Sequence, residues 1–149
     1  MLVRKLEEKD IAPLVKIGSI MHKEGSFKKI NYSKEKVFAT IKHSLTSDKM
    51  AFFVAKDDDG YAGMMGGFIL EYPISFDKYA TDFLLFIKKE KRGGDTAIKL
   101  LNLFEDWAKG KNVKEIRLGS SNGVDIEKVR GFYEWQKYET IGHIFRKEI

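Results

Sequence analysis

Apolar residues recur along this chain with two different periods. From Ile11 they fall at Leu14, Val15 and Ile17, and from Val37 at Phe38, Ile41 and Leu45. Those steps of three and four predict two helices. Asp10 and Ser33 stand where N-caps belong, and Pro13 suits a first helical turn. Met50 to Lys56 and Tyr61 to Tyr72 read instead as strands, joined by Asp57-Asp58-Asp59-Gly60, a hairpin turn that ends in an Asp-Gly pair. Gly63, Gly66 and Gly67 loosen the return strand and predict a bulge. Tyr79 to Lys88 is the next strand. Thr96 to Lys109 is the clearest helix, because Ala97, Leu100, Leu101, Phe104, Trp107 and Ala108 share one face and Gly110 ends it. A strand over Val113 to Leu118, a helix over Ile126 to Trp135 capped by Asp125, and a last strand over Tyr138 to Lys147 follow. With a short first strand from Leu2 to Leu6, the order is β-α-α-β-β-β-α-β-α-β, an α/β chain.

The 149 residues suit one domain, 1–149, with a real core. The chain has no cysteine, which removes disulfides, thiolate catalysis and cysteine-held metals. His22, His43 and His143 lie far apart and show no metal-ligand spacing, so no metal is expected. The charged N-terminal segment does not resemble a signal peptide, and no apolar run approaches a membrane span, so a cytoplasmic protein without membrane partners is expected. The net charge of +5 admits anionic ligands, but it is spread along the chain.

One segment concentrates candidate chemistry. Arg92-Gly93-Gly94-Asp95-Thr96-Ala97 links the strand-like run Asp82 to Ile87 to the strongest helix. A glycine turn that opens a helix leaves backbone N–H groups without partners and adds the positive end of the helix dipole. That combination binds phosphate or pyrophosphate. Lys88, Lys89, Lys91 and Arg92 surround the turn. Asp95 is a carboxylate in the same place, and it would compete for those N–H groups unless its side chain turns outward.

This element order, with a glycine turn before the longest helix, resembles the GNAT family of acyl-CoA-dependent N-acetyltransferases. Arg92 and Ala97 fit the ends of the family's pyrophosphate motif, and Asp95 stands at its central glycine. Phe132-Tyr133-Glu134-Trp135-Gln136-Lys137-Tyr138 resembles the family's Tyr-Glu-x-x-Gly-Phe signature, with Lys137 at the glycine. Arg92-Gly93-Gly94 followed by Leu100-Leu101, Phe104-Glu105 and Trp107-Ala108 is similar to a small branch often carried by phages, which would place the protein in a host cytoplasm. The resemblance implies a mixed, mostly antiparallel sheet flanked by helices and acetyl-CoA as co-substrate. It further implies transfer of the acetyl group to a primary amine, on a small molecule or a protein, by direct attack in a ternary complex. It is compatible with a homodimer. By the same resemblance, the backbone of Phe86 and Ile87 would pair with the pantetheine arm. Lys91, Arg92, Gly93, Gly94, Asp95, Thr96 and Ala97 would hold the pyrophosphate, and Asn122 or Ser121 would touch the cofactor. Tyr133 would protonate the leaving thiolate, which a phenol does only with help from position or a lowered pKa. Glu71 and Asp82 are candidate bases, with Glu24 and His22 in a loop that could face the acceptor.

Other readings of the same residues are weaker. Asp57-Asp58-Asp59 fails the EF-hand spacing. Gly119-Ser120-Ser121-Asn122-Gly123 matches a hydrolase nucleophile elbow, but only Asp125 and His143 follow it to serve as partners. The alternative function is a basic nucleic-acid- or protein-binding module on a degenerate acetyltransferase fold without catalysis. A nucleic-acid site would need a stripe of charge with exposed aromatics, and apart from Phe27, Tyr32 and Tyr79 the aromatics mostly sit at core-periodic positions.

Overall fold

A computed structural model describes residues 1–149. Its strands are β1 (Leu2–Lys5), β2 (Met50–Asp57), β3 (Gly60–Glu71), β4 (Lys78–Ile87) and β5 (Glu115–Arg117). Its helices are α1 (Ile11–Glu24), α2 (Lys34–His43), α3 (Thr96–Lys109) and α4 (Ile126–Trp135). One sheet runs in the order β1-β2-β3-β4-β5. Its first three pairings are antiparallel and β4–β5 is parallel. No helix is long and apolar enough to cross a membrane.

The strands are apolar on both faces because helices cover both. Ala51, Phe53, Met65 and Ile69 meet Leu100, Leu101, Phe104 and Ala108 of α3, and Phe132 and Tyr133 of α4 pack against the same core. On the other face Phe52, Val54, Met64 and Phe86 meet Leu14, Val15 and Ile17 of α1 and Ile41 of α2.

The return strand β3 has its own extra residue at Ala62, opposite β2, but beside Gly66 and Gly67 the extra residue belongs to β4. Gly66 pairs with Leu84 and Gly67 with Asp82, so Phe83 of β4 has no partner. The extra residue shifts the alternation. Before it, Ala80 faces the α3 core, and after it Ile87 does. Phe83 stacks on Phe52 and Phe68, on the side where Leu84 and Phe86 also pack. The glycines opposite the bulge are small because there is no room. A Cβ on Gly67 would stand 2.3 Å from the Thr81 carbonyl oxygen and 2.5 Å from Cε2 of Phe104. Gly67→Ala is therefore expected to cost about 1–3 kcal/mol by overpacking. Urea unfolding measures it, and an unchanged midpoint would show that the sheet adjusts freely.

Four local expectations need correction. Asp10 does not cap α1; its side chain is fully buried and held by Arg4, Tyr61 and the Glu7 N–H. Asp125 is in the left-handed region at φ 46° and makes no cap bond, whereas Ser33 does accept from the Lys36 N–H at 3.1 Å. The strand expected over Val113 to Leu118 shortens to Glu115–Arg117. The strand expected over Tyr138 to Lys147 does not form. A strand needs an edge to pair with, and β5 offers only three residues. The terminal segment lies instead near the α1–α2 connection, through Lys29–Glu148 at 3.3 Å and Arg146 to the Ser26 carbonyl at 3.4 Å.

Candidate active site

β4 and β5 pair only from Tyr79 to Thr81 and from Glu115 to Arg117. Past that point β4 continues to Ile87 with no strand on its outer edge, and the chain after β5 turns away. A cleft therefore opens at the C-terminal ends of two parallel strands, where α/β sheets commonly bind ligands. α3 starts from the end of β4 and α4 from the connection after β5, so both helix N-termini face that side.

Asp82 sits where the strands part. Its Oδ1 accepts the Gly119 N–H at 2.9 Å, which ties the chain after β5 back to β4. Burial pushes its carboxyl up to about 6 despite that bond. Tyr133 of α4 faces the same place. Burial, and then the Asp82 charge, raise its phenol, the opposite of the lowering that would make it a readier acid. Tyr138 stacks edge-on at 5.8 Å and donates to Glu105 at 2.7 Å, walling the phenol on one side. Both residues stand in runs quoted above for the resemblance, but their pairing with each other, 33 positions apart, has no signal in the sequence. Glu71 is elsewhere. It pairs with Lys78 at the far end of the β3–β4 hairpin, four strand residues or about 13 Å from Asp82.

At the other end of the cleft, Gly93 adopts φ +96°, and a Cβ on either Gly93 or Gly94 would meet nothing within 4 Å. Asp95 precedes the first helical residue but makes no cap bond. Its carboxylate turns outward to Lys99 at 2.8 Å, which lowers its pKa. The N–H groups of Gly94, Thr96, Ala97 and Ile98 consequently have no acceptor in the protein. The objection that Asp95 raised in the sequence is removed, since its side chain does not occupy the site.

Lys91 and Arg92, two of the four cations around this turn, are engaged elsewhere. Lys91 is held by Asp57 at 2.8 Å and Asp59 at 2.7 Å, and those two hydrogen bonds raise its pKa. Arg92 reaches Glu24 with Nη1–Oε1 at 2.6 Å and Nη2–Oε2 at 2.9 Å, while its Nε donates to the Ile87 carbonyl at 2.9 Å. The side chains of Phe86 and Ile87 are buried in opposite cores. The Lys88 N–H bonds to Ala62 of β3, so in this register Phe86 also turns its main chain to β3 and Ile87, its carbonyl taken by Arg92, turns its main chain away. Asn122 joins the loop after β5 to the end of α1. Its carbonyl accepts the Ser26 N–H at 2.7 Å, and its Oδ1 accepts the Val124 N–H at 3.1 Å. His22 and Glu24, expected in a loop, lie instead in the last turn of α1, which runs on to Glu24; from there His22 contacts the Ile30 carbonyl and Tyr32.

This architecture recurs in solved structures over its whole length. A putative acetyltransferase from Pyrococcus furiosus matches with a TM-score of 0.73 and 24% identity, covering 99% of each chain. Its fold is that of the GNAT acetyltransferases. A protein from Clostridium acetobutylicum described as a predicted acetyltransferase, solved with acetyl-CoA, matches at TM-score 0.80 and 15% identity, covering 99% of this chain and 95% of that one. An aminoglycoside acetyltransferase from an uncultured soil metagenomic sample, solved with sisomicin, matches at TM-score 0.71 and 17% identity, covering 99% and 96%. These similarities lend no support to the phage-type branch. No protein-family model and no curated protein sequence matches the chain.

Proposed function

We propose that this protein is an N-acetyltransferase that moves the acetyl group of acetyl-CoA to a primary amine. The observation that carries this reading is the cleft between β4 and β5. It has uncapped helix N–H groups at one end and the Asp82–Tyr133 pair at the other. The acetyl-CoA and sisomicin complexes of two neighbours of the same fold support the co-substrate and a small-molecule acceptor.

In this reading the N–H groups of Gly94, Thr96, Ala97 and Ile98 bind the pyrophosphate, helped by the α3 dipole and by Arg92. The outward main chain of Ile87, next to Phe86 on β4, lines the pantetheine arm, and a β4 N–H near the bulge polarises the thioester carbonyl. Asp82, ionised above pH of about 6, takes a proton from the acceptor ammonium directly or through water, leaving a neutral amine. The amine nitrogen bonds to the carbonyl carbon, the carbon–sulfur bond breaks, and Tyr133 gives its proton to the departing sulfur. The amine's second proton reprotonates the phenolate through solvent. With no cysteine in the chain, attack within a ternary complex is the direct route.

Calorimetry tests the cofactor site. Wild type should bind acetyl-CoA with micromolar affinity, and Arg92→Glu should weaken it about 10- to 100-fold through loss of a charged hydrogen bond. Absence of binding by wild type would remove the acetyltransferase reading.

A further inference from the structure

Arg92 lies four residues before Thr96, the first residue of α3, yet its guanidinium is occupied. Both of its terminal nitrogens meet the Glu24 carboxylate at 2.6 and 2.9 Å. Nε fixes the fork to the Ile87 carbonyl, and the Phe86 ring lies beneath it at 5.5 Å. A guanidinium fork presents the same pair of donors to a carboxylate and to a phosphate. The two side chains are 29% and 26% exposed, so an incoming anion can reach the pair. Glu24 is also the last residue of α1. Two residues later, Ser26 is bonded through its N–H to the Asn122 carbonyl at 2.7 Å and through Oγ to the Ser121 carbonyl at 3.3 Å. Glu24 thus sits at the root of the connection that closes over the loop after β5.

We propose that Glu24 is a built-in stand-in for the cofactor's pyrophosphate at Arg92, so that cofactor binding must break this pair and release the start of the α1–α2 connection. The inference rests on the acetyl-CoA reading above. It makes Glu24 a positioning residue that holds the fork pre-aimed and lowers cofactor affinity. A site competent only when the pair is open binds with its intrinsic affinity reduced by the open fraction.

The test is calorimetric titration of acetyl-CoA into wild type, Glu24→Gln, Arg92→Gln and the double variant, with acetyl-pantetheine as a ligand lacking the pyrophosphate. Glu24→Gln should tighten acetyl-CoA about three- to tenfold, the range expected for freeing a half-exposed ion pair. Glu24→Ala should shift it the same way. The gain should vanish in the Arg92→Gln background and be absent for acetyl-pantetheine. A merely structural role would weaken both ligands. Wild-type binding with no gain in Glu24→Gln and Glu24→Ala would overturn the inference alone, as would a gain that survives loss of Arg92. No binding by wild type or by either Glu24 variant would overturn the cofactor reading together with it.

Discussion

Tyr133→Phe is expected to lower kcat about a hundredfold or more, with little change in the KM for acetyl-CoA. Phenylalanine keeps the ring that packs on Phe132 and Tyr138, so the substitution removes chemistry and little packing. A general acid placed at a leaving group contributes about 10²–10⁴ in rate. Burial and the Asp82 charge raise the phenol, so its own titration should not shape the neutral pH range. The pH dependence should come from Asp82 instead. With its carboxyl at about 6, kcat/KM should rise through that value as the base ionises, and Asp82→Asn should remove this limb. The sign for stability is opposite. A carboxyl raised in the fold binds a proton more tightly there than in the unfolded chain, so ionising it above about 6 costs stability. Asp82→Asn can still accept the Gly119 N–H and should be at least as stable as wild type at neutral pH while losing activity. An acetylation rate that survives Tyr133→Phe would show that this tyrosine is only a core residue.

Asp10→Ala is expected to cost about 3–5 kcal/mol. The Asp10 side chain is fully buried, and Arg4 meets it with two bonds at 2.7 and 2.9 Å. The Tyr61 hydroxyl adds a bond at 2.6 Å and the Glu7 N–H one at 2.8 Å. Removing the carboxylate leaves the mostly buried Arg4 with only a 3.6 Å contact to Glu7 and a bond to the Lys5 carbonyl, and breaking such a pair is costly even where forming it contributes little. Burial raises this carboxyl, but the Arg4 and Tyr61 bonds outweigh it and hold it at about 2, below the ordinary 3.8. A depressed carboxyl stabilises the fold above its ordinary value and loses that contribution as pH falls from about 4 toward 2. Urea melts across that window should show wild type losing stability and Asp10→Ala losing less. Equal slopes would show that other carboxylates govern acid unfolding.

Local patterns were enough for most of the elements. Three- and four-residue apolar spacing placed α1, α2 and α3, and the Asp-Gly turn placed the β2–β3 hairpin, because each signal lies within one element and its neighbours. Ser33 was readable as a cap for the same reason. Asp10 was not, since capping and burial with Arg4 start from the same residue in the same place, and only packing against Tyr61, 51 positions away, chooses between them. The last strand failed similarly. Tyr138 to Lys147 has strand-like residues, but pairing depends on an edge that β5 is too short to provide.

The candidate site divides along the same line. The glycine turn, the basic residues beside it and the helix that follows are contiguous, so the sequence by itself determined a glycine turn at a helix start and the cations around it. The direction of each side chain there was decided by distant partners. Lys99 draws Asp95 outward, Glu24 occupies Arg92, and Asp57 with Asp59 occupies Lys91. Asp82 and Tyr133, on different elements, meet only because the bulge at Phe83 and the parting of β4 from β5 bring them to one cleft. Charges and donors are fixed by residue type, but their partners are fixed by approach in space, and that approach exists only in the folded chain.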